Sequence, residues 1–399
     1  MNGVRKVTED LYWVGVNDKR IELFENIHPI PEGVSYNAYL LLDEKTVLFD
    51  TVDWSGCRVF LENIAAVLDG RKLDYLVVNH MEPDHAASLE EVLIRYPECK
   101  VISNEKAFMF MRQFGFDVDG REDTVKEGDT RCFGKHTVTF LMAQMVHWPE
   151  AMVTFDTTNG VLFSADAFGS FGSLDGRLFD DEVNFDRDWI DNARRYFTNI
   201  VGKYGASVQT LLKKAAGLEI AVICPLHGPI WRENLSYILE KYQKWSTYEA
   251  EDQAVVIMYA SMYGNTASAA DALAGALAVR GVKKIAVYDV SNAHVSELIS
   301  EIFRASHLVF AAPTYNAGIY PVMENLLSDM KALAVQKKTV AVMENGTWAP
   351  TAAKQVKEKI SEMKDMTILD TGLTIKSAMH ADQKAELDAL ADAIVNSMV

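Results

Sequence analysis

The sequence predicts an α/β protein in two parts. Residues 1–249 read as layered sheets covered by helices, and residues 250–399 as a doubly wound five-stranded parallel sheet. Three observations predict this. Strand-like runs in mixed order dominate the first part, strands and helices alternate regularly in the second, and a polar, charged stretch, S-T-Y-E-A-E-D-Q (246–253), lies between them.

In the first part the apolar runs are D-L-Y-W-V-G-V, Y-N-A-Y-L-L-L, T-V-L-F-D-T-V, L-D-Y-L-V-V-N, T-V-T-F-L-M, G-V-L-F-S-A-D and I-A-V-I-C-P. Each is short and rich in β-branched and aromatic residues, which suits half-buried strands. Helical spacing appears at Val59–Leu68, Ala87–Arg95 and Asn234–Trp245. In the second part, strand A-V-V-I-M-Y-A precedes a helix at Ala267–Ala278, and K-I-A-V-Y-D-V precedes Val295–Arg304. H-L-V-F-A-A-P precedes Val322–Leu333, T-V-A-V-M-E-N precedes Ala352–Met363, and T-I-L-D-T-G-L precedes Asp382–Met398. Continuous apolar strands each followed by a helix are the mark of a parallel sheet buried on both faces.

Composition narrows the function. With 56 acidic and 39 basic side chains in 399 residues the formal charge is −17. Such a surface repels phosphate backbones, which argues against nucleic-acid binding. No apolar run has the length of a membrane span, and the N-terminal M-N-G-V-R-K-V-T-E-D lacks a signal-peptide core. The expectation is a cytoplasmic protein with no membrane partner. Cys57, Cys99, Cys132 and Cys224 form no C-x-x-C, so a disulfide framework, a zinc ribbon or a built-in rubredoxin centre is not expected.

The chemistry concentrates where strand L-D-Y-L-V-V-N gives way to a helix. There, H-M-E-P-D-H places His80, Glu82, Asp84 and His85 within six residues. Carboxylates this close repel and raise each other's pKa unless a cation sits between them. Further donors stand at other strand ends: His147 in M-V-H-W-P-E, Asp166 closing G-V-L-F-S-A-D, and His227 in C-P-L-H-G-P. Four histidines and three carboxylates suit two metals, with one carboxylate bridging. A structural metal or a plain polar turn is the competing reading. Asp50, ending T-V-L-F-D, is placed to support a ligand or to cap a turn.

The second part carries three loops at strand ends. Ser261, Met262, Tyr263, Gly264, Asn265 and Thr266 form a small hydroxyl-rich loop entering a helix, where backbone N–H groups and the helix dipole can hold a phosphate without lysine. It resembles the flavodoxin phosphate loop. Pro313, Thr314, Tyr315, Asn316, Ala317 and Gly318 follow the third strand, and Asn345, Gly346, Thr347 and Trp348 open the loop after the fourth. In a flavodoxin-like fold these positions grip the isoalloxazine ring, with Tyr315 and Trp348 placed to pack on it. The match is to FMN, since no G-x-G-x-x-G is present.

The H-x-E-x-D-H motif resembles the metallo-β-lactamase pattern H-x-H-x-D-H with glutamate in place of the second histidine. That is the form carried by the flavodiiron proteins (A-type flavoproteins), and the extra carboxylate favours iron over zinc. The whole chain is similar to their minimal form: a metallo-β-lactamase-like αββα sandwich followed by a flavodoxin-like domain. The resemblance implies one iron on His80, Glu82, His147 and Asp166, and a second on Asp84, His85, Asp166 and His227, with Asp166 bridging. It implies reduction of O2 to water, of NO to N2O, or both. Electrons would come from a separate donor such as rubredoxin and pass through FMN, in a head-to-tail homodimer or a homotetramer. Glu25 lies where many relatives have a histidine near the irons, and His28 and Tyr196 are further pocket candidates. A zinc-dependent hydrolase and an FMN electron carrier with a structural metal are the alternative functions.

Overall fold

The computed structural model describes residues 3–398, so the outer bounds expected for the two parts, residues 1 and 399, lie outside it. The backbone divides into two compact units, one of residues 1–197 and 206–243, the other of 198–205 and 244–399. The change of unit at 243/244 lies just before the polar stretch. That a short internal piece, Thr198–Gly205, packs with the second unit has no sequence signal.

In the first unit two sheets face each other. One runs in the order Arg5–Lys6, Leu11–Trp13, Tyr39–Leu42, Thr46–Phe49, Tyr75–Val77, Lys100–Ser103, Glu122–Thr124. Its first three pairings are antiparallel and the rest parallel. The other is Thr130–Cys132, Thr137–Met142, Met152–Asp156, Val161–Phe163 and Val222–Cys224, antiparallel except for its last, parallel pair. Alternate residues Tyr39 and Leu41, and Val47 and Phe49, join Val138, Phe140, Val161 and Phe163 in the core between the sheets. Phe49 and Phe163 stack across it at 3.8 Å.

Five strands of these two sheets were not anticipated: Arg5–Lys6, Lys100–Ser103, Glu122–Thr124, Thr130–Cys132 and Met152–Asp156. Glu122–Thr124 and Thr130–Cys132 sit at sheet edges and carry polar, largely exposed residues, so they lack the apolar alternation that marks a strand. The helix expected at Ala87–Arg95 is present as Leu89–Arg95, and a separate short helix, Pro83–Ala86, precedes it.

In the second unit the parallel sheet is ordered Ile285–Asp289, Asp252–Tyr259, Ala305–Tyr315, Thr339–Asn345, Thr367–Ile368. Val255 and Ile257 pack with Leu273, Leu277, Leu390 and Ile394 on one face. Val256 and Met258 pack with Leu298, Ile302 and Leu326 on the other. Both faces are thus covered, as the unbroken apolar strands require. The fifth strand departs from expectation: it is broken into Thr367–Ile368 and Leu373–Ile375, both paired parallel to Thr339–Asn345, and residues 369–372 interrupt it.

Candidate metal centre and flavin cavity

The metal-ligand candidates are gathered by strand ends of the first unit. Tyr75–Val77 ends shortly before His80, and Pro83 opens the short helix Pro83–Ala86. Proline suits a first helical position, and it splits the motif. Glu82 precedes the helix in extended conformation, while Asp84 and His85 lie on it. One hexapeptide therefore supplies two groups.

His80, Glu82, His147 and Asp166 place one ligand atom each within 4.8 Å of one another, and so do Asp84, His85 and His227. In the first group, His147 Nε2 stands 3.0 Å from Glu82 Oε2 and 3.2 Å from Asp166 Oδ2, and His80 Nε2 stands 3.1 Å from the same Oδ2. In the second, the Nε2 atoms of His85 and His227 face each other at 3.0 Å. Asp84 Oδ2 lies 3.3 and 3.2 Å from those two nitrogens. Asp166 joins the groups: its other oxygen, Oδ1, is 3.2 Å from His85 Nε2.

The far ring nitrogens fix the tautomers. His227 Nδ1–H donates to the Ser35 carbonyl at 2.8 Å, so Nε2 carries the lone pair. His80 Nδ1–H donates to Glu150 Oε1 at 2.9 Å, and that oxygen also accepts from Met81 N–H at 2.9 Å. Asp50, fully buried, accepts from the Asn79 N–H and side-chain amide at 2.7 Å each and from His80 N–H at 3.3 Å, while Thr154 donates to Asn79. Burial pushes the Asp50 carboxyl up to about 6. Asp50 therefore shapes the turn that delivers His80.

The chemistry of the donor set fits cations. Both oxygens of Asp84 and Oδ1 of Asp166 are buried without a hydrogen-bond partner, a costly state for carboxylates. Burial pushes Asp84 up to about 7, and the negative charges of Glu82 and Asp166 add to the rise. Asp166 stays well below the usual range despite its burial, because His80, His147 and His85 surround it. His147 rises to about 9 against its burial, through its bonds to Asp166 and Glu82. The imidazoles and carboxylates must share protons unless two divalent ions take their place. Seven donors with one shared carboxylate would offer two ions four protein ligands each, and the mixture of imidazoles and carboxylates suits iron.

Above the second group lies an aromatic roof. The rings of Phe24, Tyr36 and Tyr196 stand 5.4, 5.9 and 5.3 Å from that of His227. Tyr196 is fully buried and its hydroxyl has no hydrogen-bond partner; burial, then the charge of Asp166, holds its phenol protonated. Gly169 permits this packing, since a Cβ there would meet Asp166 O and Tyr196 Cε1 at 3.1 Å. Glu25 occupies the turn between Leu23–Phe24 and His28–Pro29 at φ 49°, with its carboxylate 3.8 Å from His28 Nε2. Partial burial and the charge of Glu82 raise Glu25 to about 7. A groove of about 880 Å3 elsewhere in this unit contains none of the seven ligand candidates, although Glu150 lines it.

In the second unit the three expected loops enclose a cavity of about 520 Å3. Of the expected residues, Gly264 and Gly318 do not line it. Gly264 caps the helix Asn265–Val279 at φ 92°, and Gly318 pairs with Tyr315. Ala349, within the expected loop 345–350, lines it too, and Thr351 and Ser377 line it and were missed. Ser377 is held by Asn345, whose Oδ1 accepts from Ser377 N–H at 3.1 Å and whose amide donates to Ser377 O at 3.0 Å and Thr266 Oγ1 at 3.3 Å. Tyr263 and Trp348 stand at its mouth, each about nine-tenths exposed. A slot walled by small polar residues, with aromatic rings at its mouth and a helix start at one end, fits an aromatic mononucleotide.

Both parts of the chain match known protein families. Residues 34–228 match the ODP family beta lactamase, and residues 257–391 match flavodoxin. The chain is 30% identical over 384 residues to the anaerobic nitric oxide reductase flavorubredoxin of Vibrio vulnificus, covering 95% of this chain and 76% of that protein. Its fold is similar to that of rubredoxin oxygen:oxidoreductase from Desulfovibrio gigas (TM-score 0.91, 30% identity, 99% and 98% of the two chains covered). It is also similar to that of a histidine-to-alanine variant of the flavo di-iron protein of Thermotoga maritima (TM-score 0.90, 26% identity, 99% and 98% covered). A beta-lactamase-like unit with ligand groups for two metals, joined to a flavodoxin unit and alike over the whole chain to these proteins, shows that this chain belongs to the flavodiiron protein family.

Proposed function

We propose that this chain passes electrons from a reduced carrier through FMN to a di-iron site and there reduces O2, NO or both. As a flavodiiron protein it is an oxidoreductase whose cofactors are FMN and a non-haem di-iron centre. The observation that carries the reading is Asp166, a buried carboxylate with one oxygen toward each ligand group. When bound, the irons would supply the redox electrons; the protein fixes the ligand side chains and surrounds them with a water-poor wall.

The proposed assignment follows the geometry. His80, Glu82, His147 and Asp166 would hold one iron, and Asp84, His85, Asp166 and His227 the other. Phe24 and Tyr36 exclude water from the side nearest His227. Tyr196, kept protonated by its burial, is the donor assigned to hydrogen-bond the substrate, while Glu25 and His28 border the pocket on the Glu82 side. In the second unit the loop at Ser261–Thr266 receives the phosphate, and the loops at Pro313–Gly318 and Asn345–Trp348 receive the ring.

Relatives named for nitric oxide and for oxygen reduction both match, so the substrate is set by experiment. Protein loaded with iron and FMN and reduced without oxygen should consume NO or O2 at a rate that falls to background in Asp166→Ala. Stoichiometric zinc with full hydrolytic turnover, or flavin reduction without gas consumption, would refute the proposal. Rubredoxin is the donor class we propose. A head-to-tail dimer, or a dimer of such dimers, is the assembly, and the cytoplasm the location. Among the described residues no helix is long and apolar enough to cross a membrane.

A further inference from the structure

The flavin cavity touches the starts of two helices, Asn265–Val279 and Ala352–Ser361, and the two differ. The first follows Gly264, which has no side chain to cap it. The second is closed off by the chain itself. Thr314 Oγ1 accepts from Thr351 N–H at 2.9 Å and from Ala352 N–H at 3.2 Å. Glu344 Oε2 accepts from Ala353 N–H at 2.9 Å, and its Oε1 accepts from the Thr374 hydroxyl at 3.0 Å. Glu344 is 8% exposed, and it stands behind the cavity wall rather than in it.

Between these anchors runs the loop 346–350, which carries Trp348. Its first residue is tied down by Gly346 N–H donating to Ile375 O at 2.9 Å. Its closure is tight: a Cβ on Gly346 would lie 2.7 Å from Pro350 Cα. Its middle is touched by Ser377, whose hydroxyl donates to Thr347 Oγ1 at 3.1 Å, and its far end is tied through the start of the second helix: through Thr314 and Glu344, and through the Thr351 hydroxyl, which donates to Ala317 O at 3.3 Å. A buried carboxylate on a helix start is both a hydrogen-bond acceptor and a partner for the helix dipole.

We infer that Glu344 is a positioning residue for the flavin: by holding the start of Ala352–Ser361 against the strand end, it keeps the Trp348 loop in its ring-accepting shape before the flavin arrives. Preorganisation of this kind raises affinity because binding need not order the loop. The inference rests on the flavin reading of the cavity. It places Glu344 on the ring end, so its effect is independent of the phosphate.

The test compares FMN with riboflavin, which lacks the phosphate, by quenching of flavin fluorescence on titration into apoprotein. Glu344→Ala should weaken both flavins by a similar factor, about tenfold, and alter the visible circular dichroism of the bound ring. Glu344→Gln keeps both contacts, its carbonyl accepting from Ala353 and its amide donating to Thr374, so it should stay within about fivefold of wild type with the wild-type dichroism. Thr266→Ala should instead weaken FMN more than riboflavin. Should Glu344→Ala fail to fold, Thr374→Val, which removes one contact, should weaken both flavins by about threefold. Glu344→Ala with wild-type affinity for both flavins, a loss confined to FMN, or Glu344→Gln as weak as Glu344→Ala would each overturn the inference. A wild-type chain that binds neither flavin would overturn the flavin reading itself.

Discussion

Replacing Glu150 with alanine should loosen the metal site without touching a ligand. Glu150 is 2% exposed, and its Oε1 accepts from both His80 Nδ1–H and Met81 N–H at 2.9 Å. Alanine leaves two buried donors unmet, at about 1–3 kcal/mol each before relaxation, so the apoprotein should lose about 2–4 kcal/mol. The His80 ring also loses the bond that holds its tautomer and orientation. Partners of this kind typically contribute 10- to 100-fold in metal affinity, or about 1.4–2.7 kcal/mol. Glu150→Gln keeps an acceptor oxygen in place but makes both bonds neutral, so its affinity loss should stay within about tenfold. The assay is iron retention: protein loaded with ferrous iron without oxygen is dialysed against graded chelator, and iron per chain is counted. Denaturant melts of the apoproteins give the stability change. Wild-type iron retention in Glu150→Ala would refute the reasoning. So would Glu150→Gln as weak as Glu150→Ala, which would make charge rather than positioning the cause.

Asp166→Ala should lower iron in both positions, to well under one per chain by metal analysis, because the carboxylate serves both groups. Gly169→Ala should cost about 1–3 kcal/mol and disturb Tyr196, since its Cβ would press on that ring; a melt within about 0.5 kcal/mol of wild type would contradict this. His136, with Nδ1 2.7 Å from Asp156 and Nε2 3.0 Å from Asp10, has its pKa raised: burial opposes the charge and the two carboxylates outweigh it. Its folded value lies above its unfolded value, so its contribution is complete below about pH 6.5 and is lost as pH rises through the folded pKa. Denaturant melts of apoprotein from pH 6 to 9 should show a larger loss in wild type than in His136→Gln, the part common to both coming from His147, whose pKa is raised to about 9. Thr266→Ala should weaken FMN by about tenfold in fluorescence titration.

The metal motif was legible because four donors fall within six residues, a density that ordinary turns do not need. His147, Asp166 and His227 were legible through their position after apolar runs. Glu150 was not, although it lies three residues from His147, because it serves His80, 70 positions earlier. No local spacing encodes that contact, nor the backbone carbonyl of Ser35 that orients His227. The flavin loops were legible as strand ends of an alternating pattern. Ser377 was not, since its place in the wall comes from pairing with Asn345 and from a last strand whose break hid its register. The edge strands Glu122–Thr124 and Thr130–Cys132 gave no signal for a simpler reason: solvent-facing edges carry no apolar period.

Asp166 also ties the filling of the two metal positions to one another. Its side chain has one orientation that offers an oxygen to each side. That orientation is in place before any ion arrives, since His80, His147 and His85 already surround the carboxylate. Two cations held there would share one negative charge, so each would weaken the carboxylate's hold on the other, and by reciprocity the second to arrive would loosen the first.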